Sequence, residues 1–244
     1  SAMYEAVLEN KVFRASSPSV AEMAKMLENS YRSVNIGLIN EFAIFCNERG
    51  IDIWEVIEAA KTKPFGFAPF YPGPGLGGHC IPVDPCYLNY KASTYGFRFS
   101  MIDASMAVND RMPEYCVGRI SEILGRRLGK SVNSSRILVL GIAYKPDIDD
   151  CRESPAIRII GRLRASGADT VFYDPYIMQF HYHGKVYEGE RSLTARLVQS
   201  VDMVVITTSH SKVDYEFVRS HAKVVFDTRN ATKGLADRSN IELL

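Results

Sequence analysis

Cys80 stands in the run Gly77-Gly78-His79-Cys80-Ile81-Pro82-Val83-Asp84-Pro85. A cysteine reacts as its thiolate, and His79 or another nearby cation would favour that form. The two glycines just upstream let the backbone approach a ligand closely. An arbitrary cysteine is more often a small buried core residue, but a Gly/Pro-dense loop is an unusual place for one. Cys46, Cys86, Cys116 and Cys151 lie in helix-like or connecting segments and keep the core reading. Lys25 and Asn29 are spaced i, i+4, so they share a helix face, which Ser33 continues. Most helix-surface lysines are simply solvated. A Lys-Asn-Ser stripe can instead supply an ammonium and an amide to a developing oxyanion. Asp84, four residues after Cys80, is either a base toward water or the cap of a turn in Val-Asp-Pro.

A second group of candidates follows an apolar strand. Gly141-Ile142-Ala143-Tyr144-Lys145-Pro146-Asp147 would lie beyond the carboxyl end of Arg136–Leu140, where open α/β sheets bind ligands. Lys145 and Arg152 are placed for an anion near the next helix N-terminus. Asp227-Thr228-Arg229-Asn230, at another strand end, is a further anion contact. Other chemistries are not supported. No Gly-x-Gly-x-x-Gly fingerprint follows a predicted strand, since Gly73–Gly78 fits that spacing only inside a Gly/Pro-rich segment; Gly129-Lys130-Ser131 has Leu124 where a phosphate loop needs its first glycine; and there is no Gly-x-Ser-x-Gly elbow. His79 and Cys80 are adjacent without a second ligand cluster, so no metal site is expected.

These residues need elements to hold them. Ser19 and Glu22, after Pro18, read as a capping box, and Val20, Met23, Leu27, Val34, Leu38, Phe42 and Phe45 recur at helical spacing. One long helix to about Asn47 is predicted, ended by Gly50, then a second from Asp52 to about Ala60 with the single Trp54. Thr62–Pro85 holds five Gly and six of the 11 Pro and reads as a long functional loop. Phe99–Leu128 is helical again, with Met101, Ala104, Val108, Tyr115, Ile120 and Leu124 on one face and Pro113 as a possible kink. Arg136–Leu140, Thr170–Tyr173, Met203–Thr207 and Val224–Asp227 read as strands. Ser154-Pro155 opens a helix that closes at Gly167. Strands alternating with helices imply a parallel sheet.

Composition bounds the rest. The 244 residues allow one or two domains, and 46% hydrophobic residues suffice for a substantial core. A net charge of +1 argues against a general nucleic-acid binder. Residues 1–110 carry 9 basic and 12 acidic groups, and residues 111–244 carry 20 and 16, which favours the second half for an anionic ligand. No apolar run approaches the roughly 20 residues of a membrane span. No secretory signal opens the chain. Five scattered cysteines suggest a reducing, cytoplasmic compartment. Ser1-Ala2-Met3 looks like a cloning scar, so a fragment is expected.

The run Pro72–Pro85 resembles the catalytic-cysteine loop of the nucleotide-sugar 6-dehydrogenases, the family of UDP-glucose, UDP-N-acetylhexosamine and GDP-mannose dehydrogenases. Ala21–Lys25 with Glu28-Asn29, Gly141–Lys145 through Asp149–Pro155, and Val225–Asn230 agree in order. Residues 63–71 with Leu76 and Pro82 look nearest to the UDP-N-acetylglucosamine branch.

The resemblance implies an α/β protein in three parts. Residues 1–18 would be scar and linker from an N-terminal NAD-binding domain that is not in this chain. Residues 19–130 would be a central helical dimerisation domain, and residues 131–244 an open parallel-sheet, Rossmann-like UDP-sugar-binding domain. It also implies NAD-dependent, four-electron oxidation of a C6 hydroxyl to a uronate. Cys80 would form a thiohemiacetal and then a thioester. Lys25 and Asn29 would stabilise the oxyanion, and Lys25 or Asp84 would activate water. Lys25 can act as base only where burial favours its neutral form. Tyr144, Lys145 and Arg229 would hold the UDP-sugar, Tyr71, Gly75, Leu76 and Gly77 would cover it, and Arg152 would touch NAD. Lys63 would stand in for the basic residue that family members take from a neighbouring subunit, and a homodimer is expected. A non-catalytic UDP-sugar-binding or dimerisation module is the alternative. A cysteine acyltransferase, which would need a general-base histidine paired with Cys80, is a weaker one.

Overall fold

A computed structural model describes residues 2–9 and 11–244. Ser1 of the expected scar lies outside them. A short turn of helix, α1 (Ala2–Glu5), precedes the long helix α2 (Pro18–Glu48). The cap of α2 is Ser17, whose side chain accepts the Val20 N–H, and not Ser19 with Glu22. Pro18 explains the shift: its fixed φ and missing N–H suit the first helical position, so the cap must precede it. The buried face of α2 is Asn29, Ser30, Ser33, Gly37, Asn40, Ala43 and Cys46. Val20, Met23, Leu27, Leu38, Phe42 and Phe45, whose spacing identifies the helix, are exposed.

Asp52 caps α3 (Ile53–Lys61) by accepting the Trp54 N–H, and Trp54 and Ile57 pack on Ala43 and Cys46. The Gly/Pro segment ends at His79 and not at Pro85, because Cys80 is the first residue of α4 (Cys80–Ser93). Pro82 falls in the first turn, where its N–H would lack a helical acceptor anyway. Pro85 lies inside the helix and removes one bond without ending it.

Helix α5 (Ser100–Leu128) contains Pro113 without breaking and closes on left-handed Gly129. Its buried positions are Ile102, Ser105, Asn109, Met112, Cys116, Ile120, Ile123 and Leu124. The expected face is therefore wrong in its first half, where Met101 and Ala104 are exposed. One residue of phase turns a helical face by about 100°, enough to exchange inside for outside.

The second half builds one parallel sheet in the order β2-β1-β5-β6-β7, from β1 (Arg136–Leu140), β2 (Asp169–Tyr173), β5 (Met203–Ile206), β6 (Val225–Asp227) and β7 (Ile241–Leu243). Helices α6 (Pro155–Ala165), α7 (Ala195–Ser200) and α8 (Tyr215–His221) connect it. Strand β7 and the antiparallel hairpin β3 (Gln179–Tyr182) with β4 (Lys185–Glu188) have no counterpart among the sequence expectations.

Helix α5 joins the two halves. Its first half lies along α2, and Asn109 meets Asn40 there. Its second half, from Met112 to Leu124, shares one core with Ile137, Ile159, Leu163, Met203, Val205 and Phe226. The cysteine segment is thereby fixed relative to the sheet. Among the described residues no helix is long and apolar enough to cross a membrane.

Candidate active site

Cys80 is exposed at the start of α4. The first N–H groups of a helix have no backbone acceptor, so they face whatever develops negative charge there. The segment leading to Cys80 is pinned at two points. Gly73 N–H donates to Asn40 Oδ1 at 2.9 Å, and Gly78 N–H donates to Arg152 C=O at 2.9 Å. Between them the chain packs too closely for side chains. A Cβ on Gly77 would sit 2.6 Å from Tyr144 Cβ, and one on Gly78 (φ +81°) would enter the Tyr144 ring. Two loops distant in sequence, one ending at Cys80 and one following β1, are thus in contact through these glycines.

The Asn40 contact belongs to a buried relay. Asn40 Nδ2 donates to Asn109 Oδ1 at 2.9 Å, and Asn109 Nδ2 donates to Ser33 C=O at 3.1 Å. Both amides are completely buried or nearly so. Each polar atom of the relay has a partner, as buried polar groups require.

Asn29, also fully buried, donates Nδ2 to Asp84 Oδ2 at 2.5 Å and accepts from Arg32. The structure therefore brings two of the predicted residues together, one turn of α4 beyond Cys80. Lys25 does not meet the expectation of burial. It is exposed and paired with Glu28 at 3.3 Å.

The Tyr144–Lys145 loop is held from below. Asp174 Oδ2 accepts the N–H groups of Ile142 (2.6 Å) and Ala143 (2.9 Å). Burial alone would raise the Asp174 carboxyl, but hydrogen bonds from His210 and from the Ala143, Tyr176 and Ile142 N–H groups outweigh it and hold it below the usual carboxylate range. Tyr144 is half-buried and Lys145 exposed. Arg152 is exposed and paired with Asp150 at 2.6 Å.

Arg229 lies across Gly73, in the space a side chain there would fill, and donates Nε–H to Thr207 C=O at 3.0 Å. Burial lowers its guanidinium to about 10, which leaves it cationic at neutral pH. Arg229, Tyr71, Trp54 and Lys233 line a cleft of ≈ 600 Å³ between α3 and the sheet. Tyr71 stacks on Trp54 and donates its hydroxyl to Glu58. Gly75 and Leu76 lie in the pinned segment. Lys63 is apart from all of these, exposed, with Nζ over the Phe65 ring.

Cys46, Cys116 and Cys151 are less exposed than Cys80. Burial pushes the Cys116 thiol up to about 12. Burial, then the Asp150 charge, raises Cys151. Cys46 is buried as expected, but Cys86 is exposed, because it falls on the outer side of the unforeseen helix α4.

Sequence profiles of the UDP-glucose/GDP-mannose dehydrogenase family match twice: its central domain over residues 19–111 and its UDP-binding domain over residues 138–234. The chain belongs to this family. It is 34% identical over 237 residues to UDP-N-acetyl-D-mannosamine dehydrogenase of Methanococcus maripaludis, covering 93% of this chain and 52% of the relative. It is 36% identical over 214 residues to UDP-N-acetyl-D-glucosamine 6-dehydrogenase of Pseudomonas aeruginosa, covering 86% and 49%. The solved structure of UDP-D-ManNAc dehydrogenase from Pyrococcus horikoshii superposes with a TM-score of 0.82 at 32% identity, covering 99% of this chain and 55% of that one. The chain spans about half the length of the curated relatives it matches.

Within this dehydrogenase fold, the residues that sequence reasoning missed are those that hold the others in place. Asn40, Asn109, Asp174 and His210 touch no expected ligand position but fix the loops that do. Asp174-Pro175 after a strand and Thr207-Thr208-Ser209-His210 after another were the available signals. Polar residues at strand ends are where a sheet positions its loops.

Proposed function

We propose that the protein containing this chain oxidises the C6 hydroxyl of a UDP-N-acetylhexosamine to the carboxylate, with Cys80 as nucleophile. The observation that carries this reading is the contact between the two loops. An exposed cysteine at a helix start follows directly on two glycines packed under Tyr144 of the UDP-binding domain. A nucleotide-sugar held at Tyr144 and Lys145 would present its sugar toward Cys80.

The fit to NAD is partial. Arg152 offers one exposed cation beside the cysteine loop, but the Gly-x-Gly-x-x-Gly spacing at Gly73–Gly78 follows no strand, so no NAD-binding geometry is assigned to the chain. NAD would accept the hydride at each of the two oxidation stages. The Cys80 thiolate adds to the C6 aldehyde, forming a C–S bond and an oxyanion that takes up a proton as the thiohemiacetal. Loss of hydride from that carbon, with return of the hydroxyl proton to a base or to solvent, leaves the thioester. Water then attacks the thioester carbonyl, the C–S bond breaks, the carboxylate departs and the thiolate is restored. The first-turn N–H groups of α4 and the Asn29 amide are the donors available to the oxyanion. Asn29 gives one Nδ2 hydrogen to Asp84 and accepts from Arg32 through Oδ1, and its second Nδ2 hydrogen is the one that would serve the oxyanion. The Asp84 carboxylate, which accepts from Asn29 through Oδ2, keeps lone pairs with which it would take a proton from the attacking water. Lys25, if turned from Glu28, would add positive charge on the same side.

The exposed apolar face of α2, from Val20 to Phe45, supports a homodimer through the helical domain. Lys63 could reach the sugar site of the partner from its exposed loop. The test is a substrate panel of UDP-N-acetylglucosamine, UDP-N-acetylmannosamine, UDP-glucose and GDP-mannose on the complete enzyme, scored for uronate. An N-acetylhexosamine should be preferred, with two NAD reduced per uronate. Preference for UDP-glucose or GDP-mannose would refute the sugar assignment.

A further inference from the structure

In the all-parallel sheet order β2-β1-β5-β6-β7 the strand order reverses between β1 and β5, and ligands of such sheets bind outside the carboxyl ends of the strands at that point. Here that position is filled from below by a buried side-chain pair. His210 and Asp174 are, respectively, fully and almost fully buried. His210 Nδ1 accepts the Asp147 N–H at 3.1 Å. The ring proton must therefore sit on Nε2, which faces Asp174 Oδ2 at 3.0 Å. The same Asp174 oxygen accepts the Ile142 and Ala143 N–H groups. His210 thus grips the end of the 141–147 loop directly and its beginning through Asp174.

The neighbours on β5's loop tighten the grip. Thr208 Oγ1 donates to Ala143 C=O at 2.5 Å, and Thr207 Oγ1 donates to Gly141 C=O. The Ser211 N–H and Tyr176 hydroxyl both reach Asp147 Oδ1. Asp147 sits at φ +61°, in the left-handed region that Asp adopts more readily than most side chains. The loop so fixed carries Tyr144, packed on Gly77 and Gly78 next to Cys80, and the exposed Lys145. A buried ionisable pair adds little net stability over an apolar pair of similar size, so stability alone does not account for it.

We infer that His210, acting through Asp174 and Asp147, is a positioning residue that presets the Tyr144–Lys145 loop for the diphosphate of the nucleotide-sugar. This rests on the proposed function, since it takes that loop as the nucleotide contact. Preorganisation of a binding loop is read as affinity, because a fraction of competent loops divides directly into the apparent constant.

The experiment uses the 244-residue chain with UDP as probe. UDP affinity is measured by calorimetry well below the melting temperature. Amide exchange is followed at Ile142, Ala143 and Asp147, with Leu138 and Val205 in the sheet as controls. His210→Phe keeps a planar ring and removes both hydrogen bonds. His210→Asn keeps an acceptor for the Asp147 N–H, and His210→Gln keeps a donor for Asp174. The Phe variant should bind UDP about tenfold or more weakly, a loss on the scale of ordinary site coupling. Exchange should speed at the loop amides and stay unchanged in the sheet, with the Asn and Gln variants intermediate. A Phe variant that binds UDP like the wild type would overturn the inference while leaving the nucleotide site standing. A wild-type chain that does not bind UDP would remove the nucleotide reading itself, and this inference with it.

Discussion

Replacing Asn40 with Ala tests whether the buried relay under the cysteine segment does what its geometry implies. The side chain gives an acceptor to Gly73 N–H and a donor to Asn109 Oδ1, at 2.9 Å in both cases. Both partners are buried, so truncation leaves two polar groups unsatisfied without access to water. Each such group costs about 1–3 kcal/mol, and the pair about 2–6 kcal/mol. With ordinary urea slopes, that moves the unfolding midpoint down by about 1–2 M. Asn109→Ala removes the same central bond and also leaves Ser33 C=O without its donor. The two losses share one interaction, so the double variant should be less destabilised than their sum by about 1 kcal/mol. The assay is urea unfolding of the four proteins, with Gly73 amide exchange as the local readout. Gly73 should exchange faster in both single variants. Midpoints within experimental error of the wild type, or strictly additive losses, would refute the relay.

Other consequences follow from separate parts of the molecule. Burial alone would raise Asp202, but hydrogen bonds from Lys130, the Arg136 N–H and Lys223 outweigh it and bring the carboxyl from 3.8 to about 2. A lowered folded-state pKa stabilises above the unfolded value and is lost as pH falls through the folded one. Asp202→Asn should therefore remove up to about 2 kcal/mol near neutral pH, and its gap from the wild type should close between about pH 4 and pH 2; a gap independent of pH in chemical denaturation contradicts this. Gly78→Ala must displace the Tyr144 ring from a backbone already at φ +81°. It should weaken UDP binding in calorimetry while the sheet stays folded, and unchanged affinity would separate Tyr144 from the nucleotide. Phe42→Glu places a charge on the exposed apolar face of α2 and should shift the proposed dimer to monomer in sedimentation; a dimer unaltered by it would place the interface elsewhere, and a monomeric wild type would refute the dimer.

The second half of the chain was largely legible in its sequence. Arg136–Leu140 forms as expected, and the other expected strands hold to within a residue at either end, because buried parallel strands announce themselves as short apolar runs. Ser154-Pro155 caps α6 as its residue types require. The β3–β4 hairpin was not legible, since its residues are largely exposed and show no clean alternation.

In the first half, spacing identified helices but not their inner faces. On α2 the large apolar residues face outward and the buried side is Asn, Ser and Gly. Periodicity reports that one face differs from the other, not which is covered. Helix α4 was hidden by Pro82 and Pro85, which read as loop residues until their positions within the helix are known. The candidate site divides similarly. Cys80 and the loop holding Tyr144 could be named from sequence, whereas Asn40, Asn109, Asp174 and His210 act through contacts between segments up to 76 residues apart. Lys25 stands where helical spacing placed it, but its exposure and its pairing with Glu28 came only from the fold.

The central claim is covalent chemistry at Cys80. It is tested most directly by uronate formation in the complete enzyme with UDP-N-acetylhexosamine and NAD, comparing the wild type with Cys80→Ala. The account predicts two NAD reduced per uronate for the wild type and no uronate from the variant. Uronate production by Cys80→Ala at the wild-type rate would contradict it.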